Sequence, residues 1–139
     1  MKKTLGILSL LALISFAFTF SLNKSSESNI QFSNKNFNEV LADAANTEKL
    51  VFIDVSTSWC GYCKKMKANT YTDASVINLV NSKYISKSID AEKGEGIAIA
   101  KKYNVRAYPT VLVLNAKGEL LKTGEGYLKP NQLIQFLDK

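Results

Sequence analysis

Three observations predict an α/β layer sandwich with a mixed central β-sheet. Two short, continuous apolar runs, Leu50 to Val55 and Thr110 to Leu114, read as strands buried on both faces. Apolar residues at helical spacing alternate with those runs, which supplies the covering layers. A turn sequence, Asn115-Ala116-Lys117-Gly118, follows the second run and folds the chain back as a hairpin. At 139 residues the chain has room for one domain behind a leader, and such a domain buries an ordinary core without covalent staples.

The leader comes first. Lys2 and Lys3 precede an uncharged, mostly apolar stretch from Leu5 to Phe20, with small residues at Ser15, Ala17, Thr19 and Ser21. Residues 1–21 therefore read as a signal peptide or an uncleaved signal anchor. Residues 22–36 are expected to hold a polar linker and one brief extended piece at Ile30 to Phe32, and residues 37–139 the folded domain. Phe37, Val40, Leu41 and Ala44 recur at helical spacing, so a first helix is expected to run to about Ala45. In the strand that follows, Val51, Ile53 and Val55 point one way and Phe52 and Asp54 the other.

The segment Trp59-Cys60-Gly61-Tyr62-Cys63 directly follows that strand and opens the next helix. Asn69 to Thr72 interrupts the helical pattern, and Thr72 or Asp73 can cap a restart carrying Val76, Ile77 and Val80. Tyr84 to Ile89 reads as a weaker strand. Gly94 to Gly96 then lead into a helix with Ile97, Ala100 and Lys101, ending near Tyr103-Asn104. After the Thr110 strand, Glu119 to Lys122 is expected to form the returning arm of the hairpin. A final helix starts at Pro130, a favourable first helical position, and carries Leu133, Ile134 and Leu137. Neither repeats nor a second domain are evident.

The chain has 2 cysteines, Cys60 and Cys63, so any sulfur chemistry is confined to that segment. Two residues between them, at a helix start, suit a ring that closes and opens with little backbone movement. With no histidine and 2 cysteines the chain lacks the usual ligand set of a zinc site, and no metal is expected. Gly94-Glu95-Gly96 completes neither a dinucleotide fingerprint nor a calcium loop, and no cofactor is expected. The net charge of +6 is densest at Lys64, Lys65 and Lys67, beside the cysteines. It reads as local electrostatics on a solvated helix face, not as a nucleic-acid surface, because no basic stripe interleaved with aromatics is present. Three more residues converge on the motif. Asp54 precedes Cys60 on a central strand and shares a face with Phe52, Pro109 stands before the other central strand, and Gly126 follows the hairpin.

From Phe37 onward the chain resembles the thioredoxin superfamily. The resemblance rests on the Trp-Cys-x-x-Cys segment, the acid before it, the Tyr108-Pro109-Thr110 loop and the late glycine before a final helix. It implies a three-layer sandwich around a mixed sheet, with Cys60 as the exposed attacking cysteine, Cys63 as the buried resolving one and Asp54 as the buried acid. It also implies a cis-proline at Pro109 beside a substrate groove to which Trp59, Tyr62, Tyr108, Thr110 and Gly126 contribute. The broken helix after the motif is more similar to exported thioredoxin-like reductases, including the carboxy-terminal domain of the transmembrane disulfide reductases, than to cytosolic thioredoxin. Two positions depart from the cytosolic pattern. Tyr62 stands where a proline is common, and a count back from Asp90 puts Ser86 where a lysine faces the buried acid, with Lys87 next door.

These features imply an exported, periplasmic or otherwise extracytoplasmic thiol-disulfide oxidoreductase, monomeric and acting on client proteins with disulfides. The resemblance adds a membrane electron donor of the transmembrane disulfide reductase type. Neutral Gly61 and Tyr62 between the thiols favour a reductase. An oxidase or isomerase on the same fold, and a peptide-binding module without redox turnover, stand as alternatives.

Overall fold

Asn36 begins the first helix by closing a capping box. Its side chain accepts from Glu39 N–H at 3.0 Å while the Glu39 carboxylate accepts from Asn36 N–H at 3.0 Å. From there the computed structural model, which describes residues 27–138, runs α1 (Phe37–Thr47), β1 (Leu50–Ser56), α2 (Gly61–Asn69), α3 (Ala74–Lys83), β2 (Tyr84–Asp90), α4 (Glu95–Lys102), β3 (Thr110–Leu114), β4 (Leu120–Glu125) and α5 (Pro130–Asp138). The leader expected at residues 1–21 and the start of the linker lie outside the described residues.

The strand order is β2-β1-β3-β4, with β2 parallel to β1 and β3 antiparallel to it. A parallel neighbour demands a long crossover, and α2 with α3 provides it. β4 then returns antiparallel to β3. One face of the sheet packs Phe52, Val111 and Val113 against Met66, Tyr71, Val76, Val80 and Leu133, so α2, α3 and α5 form one outer layer. The other face packs Val51, Ile53, Val55, Leu112 and Leu114 against Val40, Ala44, Ile99 and Ala100, from α1 and α4. The expected alternation in β1 and the three-layer mixed-sheet sandwich are both present.

Asp73 is the cap that restarts the helix as α3, accepting from Ser75 and Val76 N–H at 2.9 and 3.1 Å. Two elements differ from expectation. β4 extends to Glu125 because Thr123, Gly124 and Glu125 pair with Leu112, Val111 and Thr110, and its mixed polar composition conceals that pairing. Ile30 to Phe32 forms no ladder. Phe32 makes a single bridge to Ser86, and Ser33 N–H donates to Ser86 O at 2.7 Å. Asn81 supplies the rest of the attachment, accepting from Gln31 N–H at 2.9 Å and donating to Asn29 O at 3.0 Å and to the Glu27 carboxylate.

Gly96 is required by a close approach, since a Cβ there would stand 2.0 Å from Asp90 O at the end of β2. Gly61, by contrast, has nothing within 4 Å of its Cβ direction. Gly96→Ala is accordingly expected to lose about 2 kcal/mol or more, and Gly61→Ala to change stability by less than about 0.5 kcal/mol. Chemical denaturation of the oxidised protein checks both, and equal midpoints would refute the close-approach argument.

Candidate functional site

β1 delivers the chain to the motif and the backbone then turns sharply. Cys60 N–H donates to Thr57 O at 3.3 Å, and Cys60 stands in extended conformation as the N-cap of α2. Its Sγ accepts from Cys63 N–H at 3.1 Å, the role that a serine or aspartate oxygen plays at other helix starts. Cys60 and Cys63 are joined as a disulfide with Cα atoms 5.3 Å apart. The expectation of an exposed Cys60 is corrected here: Cys60 is 5% and Cys63 2% exposed, because in the disulfide the Cys60 sulfur is turned onto the first turn of α2. The surface around them is aromatic, with Trp59 and Tyr62 65% and 64% exposed.

The loops from the far side of the sheet complete the rim. The Tyr108–Pro109 peptide bond is cis, and the Tyr108 ring meets Trp59 edge-on with centroids 6.0 Å apart. Pro109 O accepts from Gly126 N–H at 2.7 Å, and Gly126 takes φ +84°, a left-handed conformation that glycine adopts without cost. That bond ties the loop before β3 to the one after β4 and brings Tyr127 against Tyr62, 6.4 Å between centroids, with Lys65 Nζ 5.0 Å over the Tyr127 ring. Thr110 is 1% exposed and its hydroxyl donates to Ala107 O at 2.8 Å, so it braces the loop from inside. The chain order gives no signal for Glu92. Its carboxylate accepts from Trp59 Nε1–H at 3.1 Å and fixes the indole from the end of β2.

Asp54 is 1% exposed. Tyr71 OH donates to its Oδ1 at 2.9 Å, Ser88 OH donates to its Oδ2 at 2.8 Å, and Lys67 Nζ lies 3.6 Å from Oδ2. Burial holds the carboxyl above its ordinary 3.8, against the opposing pull of Lys67, Ser88 and Tyr71. Burial, together with the Asp54 charge, pushes the Tyr71 phenol well above its ordinary value, so it remains a donor.

Ser86 does not face Asp54. Strand register pairs Ser86 with Phe52 and Ser88 with Asp54, and the Ser86 hydroxyl has no partner among the described residues. Alternation along β2 turns Lys87 to the opposite face, where it bonds Lys35 O and the Glu95 carboxylate, the latter at 2.8 Å. The cation beside Asp54 comes instead from α2. Lys67 follows Cys63 at i+4 and therefore lies on the same side of the helix.

Compared with known proteins, residues 37–139 match the thioredoxin-like domain family. Protein disulfide-isomerase 1 of Dictyostelium discoideum is 26% identical over 132 residues, covering 95% of this chain and 35% of that protein. The thiol:disulfide interchange protein DsbD of Yersinia pestis is 30% identical over 101 residues, covering 70% of this chain and 17% of DsbD. The chain thus spans a minor part of the length of these curated relatives. Among solved structures, a candidate disulphide-isomerase from Bacteroides thetaiotaomicron superposes with a TM-score of 0.69 at 36% identity, covering 81% of this chain and 90% of that one. A thioredoxin from Thermus thermophilus reaches the same TM-score, 0.69, at 22% identity over 81% of this chain and 86% of its own, a likeness of fold.

The raised Asp54 carboxyl sets a pH dependence of stability. A carboxyl that titrates higher in the folded than in the unfolded chain contributes stability below pH 3.8, and that contribution is lost as the pH rises through the folded value. Asp54→Asn is expected to be more stable than wild type at pH 8, with the difference closing at pH 3 to 4. Denaturation midpoints of the oxidised proteins at the two pH values measure it. A variant less stable at pH 8 than at pH 4, relative to wild type, would reverse the sign.

Proposed function

The chain belongs to the thioredoxin-like family, and from that premise we propose that it is a thiol-disulfide oxidoreductase whose redox couple is Cys60 and Cys63. The observation that carries the reading is the disulfide at the N-terminus of α2, a helix that also ion-pairs the buried carboxyl of the preceding strand. Unpaired N–H groups and the helix dipole at that terminus favour a thiolate on Cys60, which makes it the attacking sulfur. Its attack on a client disulfide forms a mixed disulfide and releases one client thiolate. Cys63 then gives its proton to Asp54 through a water and attacks Cys60 Sγ. The Cys60–Cys63 bond forms, the bond to the client breaks, and the second client sulfur leaves with the electron pair and takes a proton from water. The client gains two electrons and the pair is oxidised.

The rim supports proteins as clients. Trp59, Tyr62, Tyr108 and Tyr127 offer broad, partly exposed aromatic surface that suits an extended polypeptide, and Pro109 with Gly126 forms its floor. Reduction is the favoured direction. A histidine between the cysteines would stabilise the reduced thiolate and make the disulfide oxidising, and this chain has none. The likeness to DsbD supports a membrane electron donor, and the apolar leader supports work outside the cytoplasm. The relatives called disulfide-isomerases favour a second reading, isomerisation on the same couple.

Cys63→Ala is expected to accumulate mixed disulfides with client proteins, whereas Cys60→Ala traps nothing and loses all exchange. Non-reducing electrophoresis reads the outcome, and equal trapping by both variants would undo the division of labour. A protein that cycles with neither thiol would be the peptide-binding module instead. The couple is expected to equilibrate below about −200 mV against glutathione, on the glutaredoxin to thioredoxin side of the scale. Alkylation shift measures it, and a value near about −120 mV would mean that the protein makes disulfides.

A further inference from the structure

Two buried side-chain oxygens have no hydrogen-bond partner among the described residues, Ser86 Oγ and Thr57 Oγ1. Ser86 lies opposite Phe52, toward the end of β1 that is far from the motif. Thr57 follows β1 directly and is 5% exposed. Its carbonyl accepts from Cys60 N–H at 3.3 Å, which closes the turn that carries the chain from the strand into α2. The hydroxyls on either side are provided for. Ser56 Oγ donates to Ile89 O at 3.4 Å and accepts from Lys67 Nζ at 3.3 Å, and Ser58 is exposed to solvent. A buried hydroxyl without a partner carries the full cost of leaving water, a cost that a valine of the same shape does not have.

We propose that the Thr57 hydroxyl is a donor held back for the reduced state: unpartnered against the disulfide, it donates to the Cys60 thiolate once the pair is reduced, and so helps to set the potential of the couple. This rests on the reading of Cys60 and Cys63 as the redox couple with Cys60 as the attacking sulfur. A turn closed between its first and fourth residues holds their Cα atoms within about 7 Å, so the two side chains lie within reach of each other. In the disulfide, Cys60 Sγ is bonded to Cys63 Sγ and turned onto α2, where it accepts from Cys63 N–H at 3.1 Å. Such a sulfur is a weak acceptor, whereas a thiolate at a helix N-terminus is an anionic one and makes a charge-assisted bond. With glutathione as reductant, two of its thiols supply two electrons and two protons, the Cys60–Cys63 bond breaks and glutathione disulfide forms. Cys63 keeps its proton, Cys60 releases its own to water, and the Thr57 O–H turns to the charge on Cys60 Sγ without giving up its proton. The hydroxyl therefore favours the reduced state and moderates the reducing tendency of the neutral Gly61-Tyr62 pair.

The other enclosed hydroxyls around the motif are already committed. Tyr71 and Ser88 donate to Asp54, Thr70 donates to Leu128 O at 2.6 Å, and Thr110 donates to Ala107 O at 2.8 Å. The titratable groups on the surrounding elements are Asp54 of β1, Lys64 and Lys67 of α2, Asp90 and Glu92 at the end of β2, and Tyr108 before β3. They are the same in every Thr57 variant, so a difference among such variants reports the hydroxyl.

The test compares the full chain with Thr57→Val, which keeps the shape and removes the hydroxyl, and Thr57→Ser, which keeps the hydroxyl. Each protein is equilibrated with glutathione and read by alkylation shift. The Cys60 thiolate is titrated in the reduced protein through its rate of reaction with iodoacetamide, and denaturation midpoints are taken in both oxidation states. Thr57→Val is expected to move the equilibrium toward the disulfide about tenfold, which is about 30 mV more reducing. It is also expected to raise the pH midpoint of Cys60 alkylation by about one unit and to stabilise the oxidised protein more than the reduced one. Thr57→Ser is expected to stay near wild type in all three readings. A wild-type potential in Thr57→Val, with both oxidation states shifted alike in stability, would mean that Thr57 serves packing alone and would overturn the proposal. A shifted potential with an unmoved Cys60 midpoint would mean that the hydroxyl acts on another group, and a Thr57→Ser protein that behaves as Thr57→Val would remove the hydroxyl as the cause; either overturns it. A wild-type pair that does not exchange with glutathione would overturn the underlying reading of the couple, and the proposal with it.

Discussion

Strand β1 is hydrogen-bonded on both sides, to β2 and to β3, and covered on both faces by helices. A strand so enclosed cannot slip, since a shift by one residue would exchange Phe52 and Asp54 with Val51, Ile53 and Val55 and place a carboxylate in the apolar layer under α1 and α4. Register therefore fixes three things together. It sets Asp54 opposite Ser88 and Val111, it places the end of the strand where Cys60 can cap α2, and it brings Thr110, next to Pro109, opposite Val55.

Much of this was legible because it is local. Continuous apolar runs mark β1 and β3, the helical spacing of Phe37, Val40 and Ala44 marks α1, and Asp73 and Pro130 announce helix starts through chemistry within a few residues. The two cysteines and the acid before them are likewise a local pattern. What escaped depends on reach across space. The end of β4 is written in Thr123, Gly124 and Glu125, residues that form a strand only because β3 offers a partner. Lys67 looks like any solvated helix lysine until the fold lays α2 across β1, and Glu92 looks like a loop acid until Trp59 meets it. The count that pointed to Ser86 missed by a single strand period, which kept the correct face but named the wrong pair.

The balance at Asp54 is set by opposed effects of different range. Desolvation acts wherever the carboxyl is enclosed and does not fade with salt, whereas the pull of a half-exposed lysine is weakened by the water around it. The hydroxyls of Tyr71 and Ser88 lie between these limits, as short, enclosed hydrogen bonds that serve either protonation state at lower gain. Enclosed and yet ion-paired, the carboxyl is pulled in both directions, and burial prevails.

The two cysteines are separated by three positions in sequence and both belong to the first turn of one helix. Closing so short a loop restricts the unfolded chain little, by about 2 kcal/mol on the chain-entropy relation, compared with about 3 kcal/mol for a loop of roughly fifteen residues. No remote segments are joined, so the topology of the sheet is the same whether the bond is made or broken. By thermodynamic linkage, the difference in folding free energy between the two oxidation states equals the difference in the ease of forming the bond in the folded and the unfolded chain. With the entropic part of that difference small, what the fold adds to the couple has to come from its immediate surroundings, the N–H groups of α2 and the buried carboxyl with its lysine. In the proposed cycle, repeated oxidation and reduction would then act on the electrostatics of one helix turn, while the folded scaffold stays outside it.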